Sequence, residues 1–257
     1  MTQLSDADFK GFQRLIHSVA GISLGDTKRA LVSGRLSKRL GVSGAATFGE
    51  YLKLISGGGT AEELQIAVDL LTTNETYFFR EPKHFDFLKQ ELRAVKELGR
   101  PLRIWSAASS SGEEAYSIAM MLEDLRPSRW EVMGSDISQR VLEKARIGRY
   151  PMSRLSNLPP GYLQRFCLKG TGTMADMIEI DSALRARVSF RQVNLNRELP
   201  KLSAFDGIFL RNVLIYFNAQ TRQQVLQRVL ACLRPGGFLL IACQPPAVRV
   251  GMPTARE

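Results

Sequence analysis

Histidine and cysteine are scarce in this chain, and their scarcity argues against several kinds of site. The 257 residues include only two histidines, His17 and His84, so neither a histidine-based metal centre nor a Ser-His-Asp triad is expected. The three cysteines, Cys167, Cys232 and Cys243, lie far apart and lack the CxxC spacing of zinc and redox sites. We therefore expect no bound metal and reduced, mostly buried thiols.

Long apolar runs are also missing. No stretch approaches the roughly 20 apolar residues that a membrane-spanning helix needs. The first ten residues, MTQLSDADFK, are polar and acidic, whereas a signal peptide has a basic start and an apolar stretch. The sequence therefore predicts a cytoplasmic protein that does not insert into a membrane.

Acidic residues are too few to balance the basic ones, and the net charge is +10. This excess favours an anionic partner, either nucleic acid or an acidic protein surface. Five basic residues and no acidic one occur between positions 28 and 39: Lys28, Arg29, Arg35, Lys38 and Arg39. Both a solvated helix face and a partner-binding surface agree with such a run.

The spacing of apolar residues divides the chain into a helical part and an α/β part. Helical periodicity runs through the first 88 residues, and strand and helix patterns alternate from about residue 102 onwards. We predict strands at 102–107, 130–135, 188–193, 207–210 and 238–243. We predict helices in the second part at 113–125, 139–146 and 221–233. This pattern predicts a doubly wound, mostly parallel, Rossmann-like sheet in residues 89–257, interrupted by a small β insertion at about 150–187, after an all-helical domain in residues 1–88.

The segment RIWSAASSSGEEAYSIAM, residues 103–120, is the most informative part of the α/β region. A buried strand, a turn of small residues and a helix N-terminus together form the usual site for a nucleotide-like cofactor. Here the first helical turn carries Glu113 and Glu114, whose charges would repel a pyrophosphate and suit a cation. This favours S-adenosylmethionine, which has no phosphate and carries a sulfonium and an ammonium group, and hence methyl transfer.

Polar residues follow each of the predicted parallel strands, at the edge where such sheets bind ligands. Asp136 follows the second strand, where an acid commonly holds ribose hydroxyls. Residues 194–196, Asn-Leu-Asn, follow the third strand, and Arg211 and Asn212 follow the fourth. Upstream, residues 72–80 read TTNETYFFR, which we interpret as a capped helix whose two phenylalanines pack between the domains.

Several of these segments together resemble one known family, the CheR chemotaxis receptor methyltransferases. The resemblance covers about residues 5 to 241 and rests on the motifs TTNETYFFREPKHF, RIWSAASSSGEEAYSIAM, GSDIS, VLEKAR, VNL and FLRNVLIYF. It implies a helical N-terminal domain, a domain that binds S-adenosylmethionine and an inserted β-subdomain. It also implies methyl esterification of glutamate side chains on the cytoplasmic helices of methyl-accepting receptors, whereas a nucleic-acid partner is not expected.

The same resemblance assigns roles to individual positions. The residues that would bind the cofactor are Asn74, Thr76, Arg80, Glu113, Asp136, Asn194, Leu195, Arg211 and Asn212. Arg80 and Tyr216 would flank the methyl group during transfer. No general base is needed, because a glutamate with a reference pKa of about 4.3 is already ionised at neutral pH.

The C-terminal segment departs from the family pattern and leaves alternatives open. Members of the family continue after the last parallel strand with a Gly-His-Ser-Glu-like turn and a final strand, whereas this chain has Ala-Cys-Gln-Pro-Pro at 242–246. Either residues 247–251 replace that strand or the sheet lacks it. A relative that binds cofactor or receptor without turnover therefore stays an alternative. A nucleic-acid methyltransferase is the other, although the chain has no Pro-Cys nucleophile and no Asn/Asp-Pro-Pro-aromatic motif.

Overall fold

The N-terminal part of the chain forms four helices. The computed structural model describes residues 3–57, 60–94, 99–125, 129–242 and 248–251. The helices are α1 (Asp6–Ala20), α2 (Arg29–Ser43), α3 (Phe48–Ser56) and α4 (Ala61–Leu71). Side chains cap three of their N-termini, because Ser5, Thr47 and Thr60 each accept a hydrogen bond from the backbone N–H three residues later. Their apolar faces bury a core of their own around Phe12, Leu36 and Tyr51.

The α/β part is built on a mostly parallel sheet, as predicted. Its strands are β1 (Leu102–Ala107), β2 (Trp130–Asp136), β6 (Val188–Gln192), β7 (Phe205–Arg211), β8 (Leu233–Ala242) and β9 (Val248–Gly251). They lie in the order β6-β2-β1-β7-β8-β9, and only β9 is antiparallel to its neighbour. The helices that accompany the sheet are α5 (Pro82–Ala94), α6 (Glu113–Leu125), α7 (Gln139–Ile147) and α10 (Ala219–Leu230). The fold class predicted from the sequence is confirmed.

The irregular segment after α7 forms a separate small sheet, also as predicted. Its strands are β3 (Arg149–Pro151), β4 (Cys167–Lys169) and β5 (Met177–Ile180), antiparallel in the order β3-β5-β4. Two short helices, α8 (Tyr162–Phe166) and α9 (Ser182–Arg185), accompany it. Of the cysteines, Cys167 is buried and Cys232 half-buried, both as free thiols, and Cys243 lies outside the described residues.

Residues 72–80 do not form the helix that was predicted for them. They follow an irregular path of turns, and Phe78 and Phe79 pack into the core of the α/β part rather than between the two domains. The ring of Phe78 lies 5.0 Å from that of Tyr150, and the ring of Phe79 lies 4.7 Å from that of Phe85. Helix α5, which carries Phe85, belongs to the same core. The expected domain boundary at residue 88 falls within this helix and stays a prediction.

The C-terminal strand exists in this chain. Residues 248–251 pair antiparallel with β8, with Ile241 opposite Val248 and Phe238 opposite Gly251. Of the two alternatives raised above, the structure therefore has the replacement strand. Helix α10 ends at Leu230, three residues earlier than predicted, because Leu233 already pairs with Phe205 as the start of β8. Among the described residues, no helix is both long and apolar enough to cross a membrane.

Candidate active site

A cavity of about 260 Å³ lies at the carboxyl edge of the parallel sheet. Both parts of the chain contribute to its walls, since α1, the start of α2 and the end of α4 face the loops that follow β1, β2, β6 and β7. The predicted site residues that line it are Asn74, Thr76, Arg80, Asp136, Asn194, Leu195, Arg211, Asn212 and Tyr216. The polar ends of the strands therefore meet at one place, as the topology of a parallel sheet requires.

Backbone strain is concentrated around this cavity. Five described residues other than glycine have positive φ angles: Phe79, Glu81, Ala108, Ser110 and Asn212. Three of them line the cavity, and the other two flank Arg80, which lines it as well. Left-handed backbone at such residues is unfavourable and tends to persist at functional sites, where the surrounding structure holds it in place.

The turn after β1 lies close to the backbone that follows. Gly112 has a φ of +98°, and a Cβ at this position would lie 2.8 Å from the Cβ of Ala145 and 2.9 Å from the hydroxyl of Tyr150. A side chain therefore does not fit here. The tight turn brings the Ser110 N–H to the carboxylate of Asp136, at 3.0 Å.

Both carboxylate oxygens of Asp136, the last residue of β2, accept hydrogen bonds from the backbone. Its Oδ2 accepts the hydrogen bond from Ser110 and its Oδ1 accepts one from the Ser138 N–H at 2.9 Å. Burial raises the pKa of Asp136 to about 6, and these backbone N–H groups partly offset the increase. The carboxylate retains unused lone pairs toward the cavity, so it can accept further hydrogen bonds from hydroxyl groups.

The two glutamates at the start of α6 differ in their position relative to the cavity. Glu113 is not among the cavity-lining residues; its carboxylate is buried and accepts a hydrogen bond from the Ser111 hydroxyl at 2.7 Å. Glu114 lines the cavity instead. Successive residues of a helix point in directions about 100° apart, and the two acids accordingly have different surroundings. The assignment of Glu113 to cofactor binding stays a prediction.

Glu114 makes an ion pair with Arg211 across the cavity wall. Their side chains approach to 2.9 Å, and the Ser106 hydroxyl donates to the other oxygen of Glu114 at 2.6 Å. Burial raises the pKa of Glu114, an effect that Arg211 and Ser106 partly offset. Arg211 also donates to the carbonyl oxygen of Arg80. Its Nε has no hydrogen-bond partner in the described part of the chain, so it remains as a buried donor beside the cavity.

Asn194 connects the two domains with its side chain. Its Nδ2 donates to the carbonyl oxygen of Val19, near the end of α1, at 2.7 Å, while its Oδ1 accepts from the Asn196 N–H at 2.9 Å. Leu195 is buried, and its carbonyl accepts from Arg228 at 3.1 Å. Both residues line the cavity, but the side-chain amide of Asn194 is already hydrogen-bonded to the helical domain.

The irregular segment 72–80 forms a further wall of the cavity. The Asn74 carbonyl accepts from the Ser110 hydroxyl at 3.1 Å, and Thr76 is buried. Arg80 donates to the carbonyl of Glu75 at 2.7 Å, and its guanidinium lies 5.7 Å from the ring of Tyr77. The bend that brings these positions to one cavity could not be read from periodicity.

Tyr216 is fastened to the helical domain through its backbone. Its carbonyl accepts from the Ser23 N–H at 2.8 Å, and the next residue, Phe217, forms an isolated antiparallel bridge with Ile22. Lys28 and Leu24, from the same region, line the cavity too. Sequence reasoning did not include any residue of the helical domain before Asn74 in the site, because no local pattern reports a contact across nearly 200 residues.

Two family models match the chain in succession. Residues 7–72 match the CheR methyltransferase all-alpha domain, and residues 74–244 match the CheR methyltransferase SAM binding domain. The chain belongs to the CheR methyltransferase family. Its cofactor is S-adenosylmethionine, and the motifs that suggested this family in the sequence are thereby confirmed.

Individual CheR relatives are similar over most of their length. The chemotaxis protein methyltransferase of Salmonella typhimurium is 43% identical over 246 residues, which cover 93% of this chain and 84% of that protein. The corresponding Escherichia coli protein is 44% identical, covering 92% and 83%. Chemotaxis protein methyltransferase 2 of Pseudomonas aeruginosa is 42% identical, covering 90% and 83%.

The side chains around the cavity suit this CheR cofactor chemically. S-adenosylmethionine carries ribose hydroxyls, a sulfonium, an ammonium and a carboxylate. Asp136 offers acceptors for hydroxyl groups, and Glu114 offers a negative charge for a cation. The unpartnered Nε of Arg211 offers a donor for a carboxylate.

Proposed function

We propose that this CheR protein transfers methyl groups from S-adenosylmethionine to glutamate side chains on the cytoplasmic helices of methyl-accepting chemotaxis receptors. The observation that carries the proposal is a pair of cationic side chains, Arg80 and Lys28, which line the same cavity from different domains. Either cation can pair with a carboxylate that enters the cavity. The names of the similar proteins, chemotaxis protein methyltransferases, support a role in chemotaxis.

In this proposal the cofactor is held by the strand ends and by the segment after α4. Asp136 binds the ribose hydroxyls, and Glu114 rather than Glu113 faces the methionine part. Arg211 donates to the carboxylate of that part. The remaining contacts come from Asn74, Thr76, Arg80, Asn194, Leu195 and Asn212. For Asn194 we propose contact through the backbone, because its side chain already binds Val19.

The chemistry asks little of the protein beyond positioning. Bound S-adenosylmethionine supplies a methyl group activated by the positive charge on its sulfur. The acceptor is already a carboxylate at neutral pH, since its reference pKa is about 4.3. Arg80 orients that carboxylate, and the Glu75 carbonyl and the Tyr77 ring hold its guanidinium in place. Tyr216 lies on the same cavity and flanks the transferring methyl group.

Fewer of the basic side chains at positions 28–39 are available to a partner than the sequence suggests. Arg29 pairs with Asp6 at 2.6 Å, and Arg35 donates to the carbonyls of Leu70 and Thr72. Arg39 forms a two-pronged pair with Glu63. These three arginines stabilise the helical domain. We propose that the exposed Lys28 and Lys38 attract the acidic receptor helix.

The test is methyl transfer from labelled cofactor to a chemoreceptor cytoplasmic fragment, with the wild type compared with Lys28→Glu. We expect Lys28→Glu to lower kcat/KM by about tenfold at low salt, with a smaller effect at high salt. Lys53→Glu, the same charge change at an exposed position of α3, is the matched control and should stay within about twofold. Equal losses in both variants would remove Lys28 from the proposal. Labelling of RNA instead of the receptor would support the nucleic-acid alternative.

A further inference from the structure

The Arg211 side chain is buried between two carboxylates. Its Nη1 lies 2.9 Å from Glu114 and its Nη2 lies 3.3 Å from Glu81, while only 1% of the side chain is exposed. Glu114 lines the cavity, whereas Glu81 is not among the lining residues. A guanidinium has five N–H donors and can bind two carboxylates at once. The cavity explains the place of Glu114 but not that of Glu81.

Glu81 also contacts other residues of the cavity wall. Its Oε1 accepts a hydrogen bond from Asn212 Nδ2 at 3.0 Å and lies 3.9 Å from Arg80 Nε. Asn212 and Arg80, like Arg211, line the cavity. The Glu81 carboxylate, which does not line the cavity, thus contacts three side chains that do.

The backbone around Glu81 is strained to make these contacts. Glu81 has a φ of +59°, Phe79 of +51° and Asn212 of +53°. The surrounding core holds Phe79 in place, because its N–H donates to the Ser117 hydroxyl at 3.0 Å and its ring packs against Phe85. Strain that the fold maintains in this way indicates a functional constraint at the position.

Glu81 adds a negative charge beside the two arginines of this part of the wall. Burial raises the pKa of Glu81, but the hydrogen bond from Asn212 and the charge of Arg211 reverse this and lower it, so Glu81 is ionised at neutral pH. Burial and Arg211 lower the pKa of His84, whose Nδ1 lies 3.1 Å from Glu81, so His84 is neutral. Arg80 and Arg211 then face Glu81 and Glu114. Without Glu81 the two arginines would keep only Glu114 as a charged partner, and this part of the wall would attract a cation less.

We propose that Glu81 is a positioning residue that holds Arg211, Asn212 and Arg80 on the cavity wall and places a negative charge beside the two arginines, which favours a cationic cofactor. The inference rests on the proposed assignment of this cavity to S-adenosylmethionine. It has a consequence that a purely structural role lacks. The cofactor carries a sulfonium charge that its demethylated product, S-adenosylhomocysteine, does not carry. Removing the charge of Glu81 should therefore weaken binding of the cofactor more than binding of the product.

The test is calorimetric measurement of both dissociation constants for the wild type, Glu81→Gln and Glu81→Asp. Glu81→Gln should weaken S-adenosylmethionine about tenfold relative to S-adenosylhomocysteine, a differential of about 1.4 kcal/mol. Glu81→Asp keeps the charge, so the ratio of the two affinities should stay near that of the wild type even if both weaken. The matched control is Asp86→Asn, which removes one charge from an exposed position of α5, the helix that begins directly after Glu81, and should leave the ratio unchanged.

The outcomes separate this inference from the proposed function. Equal weakening of both ligands by Glu81→Gln, or no weakening at all, would overturn the role of Glu81. If Glu81→Gln does not fold, Glu81→Asp carries the test, and a marked shift in its affinity ratio would overturn the inference. Failure of the wild type to bind either ligand would instead contradict the assignment of the cavity.

Discussion

Arg140, at the start of α7, makes two hydrogen bonds to Asp69, near the end of α4 in the helical domain. Its backbone N–H donates to the Asp69 carboxylate at 3.1 Å, and its guanidinium donates to the Asp69 carbonyl at 3.3 Å. The same carboxylate accepts from the Gln139 N–H at 3.2 Å. The Asp136 carboxylate accepts from the Ser138 N–H, and the Ser138 hydroxyl accepts from the Val141 N–H. The backbone N–H groups at the start of α7 thus find acceptors both in the preceding loop and in the helical domain.

Asp69→Ala should therefore affect both stability and cofactor binding. Loss of an acceptor at a helix N-terminus costs about 1–2 kcal/mol, so we expect a lower melting temperature. Because the loop that is freed carries Asp136, we also expect weaker binding of S-adenosylmethionine. The measurements are thermal unfolding and calorimetry, with Glu62→Ala on the exposed face of α4 as the control. Unchanged cofactor affinity in a destabilised Asp69→Ala variant would show that the contact only supports the fold.

Cofactor affinity should depend on pH through Asp136. The pKa of this carboxyl group is raised to about 6, so it is ionised above that pH and protonated below it. Only the ionised form offers all its oxygen lone pairs to the ribose hydroxyls. We therefore expect affinity to be constant above neutrality and to fall as the pH drops through 6 toward 5. Asp136→Asn should bind weakly at every pH in this range, and a pH profile identical to the wild type's would exclude Asp136 as the source.

The helical domain depends on a polar cluster in its interior. Glu63 accepts hydrogen bonds from Arg39, at 2.6 and 2.7 Å, and from the hydroxyl of the buried Tyr51, at 2.8 Å. The hydrogen bonds from Arg39 do most to lower the pKa of Glu63. A lowered carboxyl pKa stabilises the fold above the unfolded value, and this stabilisation is lost as the pH falls through the folded value.

Glu63→Gln should therefore lower the free energy of unfolding by about 2 kcal/mol at neutral pH, since it leaves Arg39 without a charged partner. The difference from the wild type should begin to shrink as the pH falls below the unfolded value of about 4.3 and should disappear only below the lowered folded pKa of Glu63. Urea denaturation at several pH values measures this. A difference that does not depend on pH would mean that packing, and not charge, explains the effect.

Arg80 should matter more for transfer than for folding. We expect Arg80→Ala to lower kcat by about a hundredfold, because it removes a preset cation that orients the acceptor carboxylate. Single-turnover transfer at saturating cofactor isolates this step from cofactor binding. Arg14→Ala, which removes an exposed arginine from α1, should keep the wild-type rate. A near-normal rate in Arg80→Ala would contradict the proposed role.

Local patterns predicted the regular elements of this chain well. The bounds of β1 and α6 agree with the predictions because each is bordered by unambiguous signals: a turn of small residues after the strand and two acidic residues at the start of the helix. The parallel order also followed, since alternating strands and helices leave few topologies. Positions after strand ends converged on one cavity for the same reason.

Contacts distant in sequence were beyond the reach of those patterns. Residues 72–80 carry helix-like signals, but they are not helical because Phe78 packs against Tyr150 and Phe79 packs against Phe85 in the core of the α/β part. The choice between Glu113 and Glu114 depended on the rotation of α6 against the sheet, which Arg211 reveals and the sequence does not. The engagement of Asn194 with Val19 likewise required the docked helical domain.

The central claim is that the acceptor is a glutamate carboxylate, and the chemical stability of the product tests it most directly. A chemoreceptor cytoplasmic fragment is incubated with the protein and methyl-labelled S-adenosylmethionine, and the labelled residues are mapped by mass spectrometry before and after mild base. We predict label on glutamate side chains that base releases as methanol, and none with Asp136→Ala. Base-stable label, as on nitrogen, or cofactor binding without any transfer to the receptor, would contradict the account.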